Sequence, residues 1–82
     1  MERRVRFAGL LTEDEIETLV KMEDIMVRKG WVGIVINYCM DGDFEVAICD
    51  IAENYGEDKE ATLPDATALA MENIIYQEAE KH

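Results

Sequence analysis

Residues 31–51 read WVGIVINYCMDGDFEVAICDI, and this stretch decides the fold. Its arms, Trp31 to Met40 and Asp43 to Ile51, are rich in the β-branched and aromatic residues that fit a pleated, half-buried surface. Between them, Asp41-Gly42-Asp43 has turn chemistry, so the two arms read as an antiparallel hairpin. Register follows from the side chains that must share a face. Val32, Ile34, Ile36 and Tyr38 alternate along the first arm, and Phe44, Val46 and Ile48 along the second. Putting both sets on one side requires a loop of odd length. Met40-Asp41-Gly42, with Gly42 left-handed, supplies it. Tyr38 then pairs with Phe44, Ile36 with Val46 and Ile34 with Ile48. The opposite face holds Trp31, Val35, Cys39, Ala47, Cys49 and Ile51 beside Asn37 and Glu45. That face is too apolar for open solvent, so either the second helix or a partner chain is expected to cover it. Cys39 and Cys49 lie near 20 Å apart in this register at the usual strand rise. That excludes a disulfide between them.

Working outward, a helix precedes the hairpin. Thr12 and Glu15 form a capping box, with Leu11 and Ile16 at the positions of a hydrophobic staple. Glu13, Asp14 and Glu15 favour the positive end of the helix dipole, and Arg28 and Lys29 the negative end. Gly30 is the stop. Ile16, Leu19, Val20, Met26 and Val27 fall on one face at the helical period, with Met22 on its edge and Ile25 pointing away. Glu23 sits within that stripe, as a stem lying on the core with its carboxylate in water or as a carboxylate facing a groove.

After the hairpin, residues 53–60 turn polar and read as a loop, and Lys59 to Leu63 is the place for a short third strand. Thr62-Leu63-Pro64-Asp65 opens a second helix, with Thr62 as cap and Pro64 in the first turn. Ala66, Leu69, Ala70, Ile74 and Tyr76 line its apolar stripe, which Asn73 and Gln77 interrupt. In residues 1–10, Val5 and Phe7 alternate with polar positions, so this segment is either flexible or a short edge strand. The expectation is a single α+β domain over residues 1–82, of α-β-β-α order. An antiparallel hairpin or three-stranded sheet packs with two helices.

Eighty-two residues bury only about 63 per cent of the unfolded surface. Nineteen acids against eight bases give a net charge of −11. Such a chain is repelled by nucleic acid and by anionic membranes. The charge is uneven: Arg3, Arg4 and Arg6 open the chain, whereas residues 41–60 carry eight acids and one base, Lys59. No apolar run approaches the roughly 18 residues of a membrane span, and no signal peptide is visible. These features point to a soluble, cytoplasmic protein.

The chemistry of specific sites is sparse. Cys39 and Cys49 belong to no CxxC pair and the lone histidine is His82, so no zinc site is expected. Asp41, Asp43 and Glu45 lack the spacing of a calcium loop and read as a polar hairpin tip. Neither cysteine has a histidine in context, and no phosphate-binding or nucleophile motif occurs. Paired carboxylates are inevitable among nineteen acids and specify nothing. No cofactor and no catalytic role are expected. Trp31, directly after Gly30, reads as core or as an exposed interface anchor.

The order of features does resemble a known family. Gly30-Trp31-Val32 leads into a strand and a polar turn, then Phe44-Glu45-Val46 follows. After Tyr55 and an acidic stretch, Ala61-Thr62-Leu63-Pro64-Asp65-Ala66 opens an Ala-rich helix. Over roughly residues 16–76 this pattern resembles the phage ABA-sandwich domain, a family of small proteins of tailed phages and prophages. Where the pattern would carry a more apolar helix start, this chain has Ala66-Thr67-Ala68. The resemblance implies a phage-type accessory protein that acts by contact, in the host cytoplasm if phage-encoded.

Two functional expectations follow. The first is a non-catalytic inhibitor that binds a basic or nucleic-acid-handling host protein through Asp41, Asp43, Glu57, Asp58 and Glu60. The second is a self-associating structural protein, a homodimer through the sheet face or an edge, with Trp31, Val35, Cys39 and Ile51 as anchors.

Overall fold

Thr12 begins the first element as its sequence requires. Its hydroxyl accepts from the Glu15 amide at 3.2 Å, and the Glu15 carboxylate accepts from the Thr12 amide at 2.9 Å. This capping box starts α1 (Glu13–Lys29), and Gly30 ends it in the left-handed conformation at φ 74°. The computed structural model describes residues 11–80, so the edge strand considered for residues 1–10 lies outside the described residues. After α1 come β1 (Trp31–Tyr38), β2 (Phe44–Asp50), β3 (Tyr55–Glu60) and α2 (Leu63–Glu80). The chain is a small α+β domain of order α-β-β-β-α.

The hairpin has the register its side chains dictate: Tyr38 faces Phe44, Ile36 faces Val46 and Ile34 faces Ile48. The Cys39 amide donates to the Asp43 carbonyl at 2.8 Å, closing a loop of Met40, Asp41 and Gly42. Gly42 takes φ 94°, where a side chain would be strained. Both cysteines are free.

One irregularity changes which residues face where. Trp31 pairs with Asp50 and Gly33 with Cys49, which leaves Val32 as a bulged extra residue. The bulge shifts the alternation by one, so Trp31 turns to the helix side and is buried, while Val32 is 64% exposed. The expected placements of Trp31 on the outer face and Val32 on the inner one are therefore both corrected.

β3 is a further correction, since residues 55–60 were expected as loop and the third strand at Lys59 to Leu63. β3 pairs antiparallel with β2, Tyr55 opposite Cys49 and Glu60 opposite Phe44, in the order β1-β2-β3. Its polarity is that of an edge strand, which needs charge to discourage further pairing. The turn into it is built by Asp50. Its carboxylate accepts from the amides of Ala52 at 3.0 Å and Asn54 at 2.8 Å, and from the Asn54 side chain at 2.9 Å.

α2 starts as expected, with the Thr62 hydroxyl accepting from the Asp65 amide at 3.3 Å. It lies across β2 and β3 and buries Leu63, Ala66, Thr67, Ala70 and Ile74. Tyr76, expected in the stripe, is exposed instead, because the small residues one turn apart make the closest approach to the sheet.

α1 rests on β1 and touches α2. Its buried line runs through Glu15 and Met22, flanked by partly buried Leu19, Ile25 and Met26. Ile25 thus points inward, contrary to the periodicity argument, and Ile16, Val20 and Val27 are exposed. The helix turns toward α2, where more apolar surface waits than above the edge strand it covers. Both helices contribute to one core with Trp31, Phe44, Val46 and Ile48. They share one face of the sheet, so among the described residues no helix covers the other face.

Candidate interaction surface

The acids named from sequence separate once the strands are paired. Asp41, at the hairpin tip, bonds Lys59 at 2.8 Å, and its other oxygen accepts from the Asp43 amide at 3.0 Å. The Lys59 hydrogen bond, helped by the Asp43 amide, holds the Asp41 carboxyl below the usual 3.8, and Asp41 in turn raises Lys59. Glu57 stands on the open face, opposite Ala47, and accepts from the Tyr55 hydroxyl at 3.0 Å. That bond raises Tyr55.

Asp58 and Glu60 point the other way, to the helix side, because they alternate with Glu57 and Lys59 along β3. Glu60 is held above the usual 4.5, first by burial, then by hydrogen bonding and repulsion from Asp58 and by the charges of Asp65 and Asp43. The structure therefore brings together Asp43, Asp58 and Glu60 of the expected set. It adds Asp65, from the first turn of α2, which sequence distance concealed. It leaves Glu57 on the other face and Asp41 paired with Lys59. A shallow hollow of about 290 Å³ lies beside this end, between the starts of the two helices and the hairpin turn, lined by Thr12, Gly42, Phe44 and Pro64.

A second polar cluster occupies the opposite end of the sheet. The Trp31 indole donates to Glu78 at 3.1 Å. Burial and the neighbouring Asp50 carboxylate raise Glu78, while the indole bond opposes them. Hydrogen bonding to Asn54 keeps Asp50 below 3.8. Trp31 is thus a core residue tying β1 to the last turns of α2, and not a surface anchor.

Of the expected self-association residues, Val35 is 58% and Ile51 85% exposed, whereas Cys39 is half-buried. Cys39 and Ile51 sit at opposite ends of the sheet, so they do not form one patch with Val35. Sequence reasoning placed the apolar flank of α1 in the core. It is instead a surface stripe of Ile16, Val20 and Val27. Glu23 stands exposed on that flank, in solvent. Asn73, which interrupts the apolar stripe of α2, donates to the Glu57 carbonyl at 2.6 Å.

Among the described residues no group of three or more His, Cys, Asp or Glu side chains is placed to hold a metal ion. No helix among them is long and apolar enough to cross a membrane. No protein-family model, curated protein or solved structure matches the chain.

Proposed function

We propose that this chain is a non-catalytic, acidic interaction protein that binds a basic protein surface, of the kind that handles nucleic acid, and blocks it. One observation carries the reading. Asp43, Asp58, Glu60 and Asp65 converge at one end of the sheet, where burial first and then the neighbouring carboxylates hold Glu60 above the usual 4.5. A basic side chain arriving there relieves that repulsion and competes well against solvent. The wider charge agrees. Residues 11–80 contain all the acids but Glu2, and only four of the eight bases. Three of those four, Lys21, Arg28 and Lys59, already sit in ion pairs. The resemblance to phage accessory proteins supports the same reading, with the host cytoplasm as its setting.

The test is a pull-down with the tagged chain at low and high salt, partners being read by mass spectrometry. Basic nucleic-acid-handling proteins should be recovered at low salt and lost at high salt. Charge reversal at Asp58 and Glu60 should abolish their recovery, while Glu57→Lys, on the other face, should not. Recovery that ignores both salt and the Asp58 and Glu60 reversals would overturn the proposal. A second reading, self-association as a structural accessory protein, is favoured by the exposed apolar side chains along α1 and the sheet.

A further inference from the structure

The end of the sheet away from the acidic group holds a buried acceptor that no donor reaches among the described residues. Asn54, in the turn before β3, is only 6% exposed. Its Nδ2 donates to Asp50 Oδ2 at 2.9 Å, but its Oδ1 is sealed from solvent and has no partner. A buried acceptor left unmet costs the full desolvation of that group. Such an atom therefore calls for an explanation, and an ion is one of the few available.

Two carboxylates stand beside it, and donors already fix one oxygen of each. Asp50 Oδ1 accepts from the amides of Ala52 and Asn54, and Glu78 Oε2 from the Trp31 indole at 3.1 Å. Trp31 is also the cross-strand partner of Asp50, so the indole brings Glu78 to the strand end where Asp50 sits. The two carboxyl groups meet closely enough to hydrogen-bond one another. Two carboxylates hold that distance only with a positive centre between them, a proton or a cation. Both residues are half-buried, so water reaches the site from one side. The last turn of α2 contains no basic residue. Glu78 and Glu80 thus add negative charge where the helix dipole already favours a cation. Lys29, at the end of α1, offsets part of the Glu78 charge.

We propose that Asp50, Asn54 and Glu78 form a binding site for a divalent cation of the calcium type. The donors are all oxygen, two carboxylates and one amide carbonyl, which suits a hard ion and not zinc or copper. The spacing agrees. The oxygen and nitrogen of an amide lie about 2.2 Å apart by bond lengths. Asn54 Oδ1 therefore lies no more than about 5 Å from Asp50 Oδ2, given the 2.9 Å bond from its own Nδ2. Calcium, held at about 2.3–2.6 Å from each oxygen, bridges ligands up to about 5 Å apart and tolerates irregular placement. Magnesium demands near-ideal octahedral geometry and gives up its waters reluctantly. Three protein ligands with water completing the shell give weak binding, half-saturated at about 0.1–1 mM. The site goes beyond the binding of a basic partner, which uses carboxylates at the other end of the sheet. Asp50 and Glu78 belong to different elements, so no calcium-loop spacing in the sequence could have shown it.

Trp31 is the chain's single tryptophan and bonds Glu78, so its emission reports on this site. Calcium chloride titrated into the full chain at constant ionic strength tests the proposal. The expected result is a saturable change in Trp31 emission in that concentration range, with a rise in melting temperature. Terbium, a luminescent stand-in for calcium, should be sensitised through Trp31 and displaced by calcium. Magnesium should be about tenfold weaker. Glu78→Gln still accepts from the indole, and should weaken calcium by about tenfold or more while leaving the circular dichroism spectrum unchanged. Asn54→Asp, which makes the neutral ligand a charged one, should tighten calcium severalfold. Glu60→Gln, at the other end of the sheet, should leave the response unchanged. No change in Trp31 emission up to about 10 mM calcium overturns the proposal. So does a response that magnesium matches or that Glu78→Gln keeps, since that is diffuse screening of a strongly acidic chain. A response that appears only in Lys81→Met would also overturn it, because the chain's own ammonium group would then take the place of the ion.

Discussion

Gly56→Ala should be among the most damaging single changes to this domain, although it adds one methyl group. Gly56 lies in β3 directly beneath α2 and is buried. A Cβ built there would stand closer than 3.0 Å to the Ala70 carbonyl oxygen and to the Ile74 amide nitrogen, and 2.8 Å from the Ile74 Cβ. Ordinary contact begins near 3.4 Å, so the shortfall is at least 0.4 Å against the two backbone atoms and 0.6 Å against the Ile74 Cβ. Helix backbone cannot swing aside as a side chain can. Relief requires α2 to lift from the sheet by about half an ångström or more. A gap of 0.5–1 Å forfeits roughly a quarter to a half of each dispersion contact it opens. The contacts opened are those of Leu63, Ala66, Ala70 and Ile74, all at most 1% exposed. Overpacking of this kind costs about 1–3 kcal/mol where side chains can adjust, and the upper end applies here. Gly33→Ala provides the comparison. Its new Cβ meets only the Cys49 Sγ at 2.8 Å, the end of a side chain that can rotate. Urea denaturation should therefore place Gly56→Ala about 3 kcal/mol below the parent and Gly33→Ala within about 1 kcal/mol of it. In a thermal melt the larger loss corresponds to a fall of roughly 12–24 °C for a domain of this size. A Gly56→Ala protein as stable as Gly33→Ala would refute the close approach of α2 to β3.

Stability should also depend on pH in a particular way. Glu60 and Glu78 are both held above 4.5, first by burial, so folding favours their protonated forms. Their contribution is complete below 4.5 and is lost as pH rises through the raised values. Asp41 and Asp50 are held below 3.8, so theirs is present above 3.8 and is lost as pH falls through the depressed values. Melting temperature should therefore peak in mildly acid solution and decline toward neutrality. Glu78→Gln should flatten the neutral limb, because an amide still accepts from the Trp31 indole and carries no charge beside Asp50. A melting temperature that climbs steadily to neutral pH would contradict this account. Asn73→Ala removes the donor to the Glu57 carbonyl and should lower stability by about 0.5–1.5 kcal/mol in urea titration. No loss at all would mean the contact contributes nothing to holding α2 on β3.

Much of the fold was legible where one residue's chemistry sufficed. The capping box at Thr12 and Glu15, the stop at Gly30 and the Gly42 loop are local requirements, and all occur as the residues demand. The hairpin register was legible because a one-residue slip would have put Phe44, Val46 and Ile48 on the wrong face. What was hidden depended on neighbours distant in sequence. β3 has loop composition, and becomes a strand only because β2 offers it a ladder and Gly56 admits α2. The rotation of α1 could not be read from its own periodicity, since Leu19 and Met26 are compatible with either flank. The position of α2 breaks that tie. The acidic group was half legible for the same reason. Asp43, Asp58 and Glu60 are near in sequence, but only the fold sends Glu57 to the other face and adds Asp65.

The bulge at Val32 connects these features. Without it, Trp31 would lie on the open face and α2 would have nothing to hold at that end of β1. With it, Trp31 packs under the helices and bonds Glu78, 47 residues away in sequence. α2 therefore fastens the sheet at both edges, over Gly56 on β3 and through Trp31 on β1. α1 is relieved of that task. It touches only β1 and α2 among the described elements, and needs only its Met22 side to stay in place. A helix that were the sole cover of β1 would have to spend Ile16, Val20 and Val27 on the core. Because α2 anchors the strand, those three remain on the surface beside an uncharged strand edge, in an otherwise strongly acidic protein. The same one-residue insertion that removes Trp31 from the surface thus leaves the Ile16, Val20 and Val27 flank of α1 exposed.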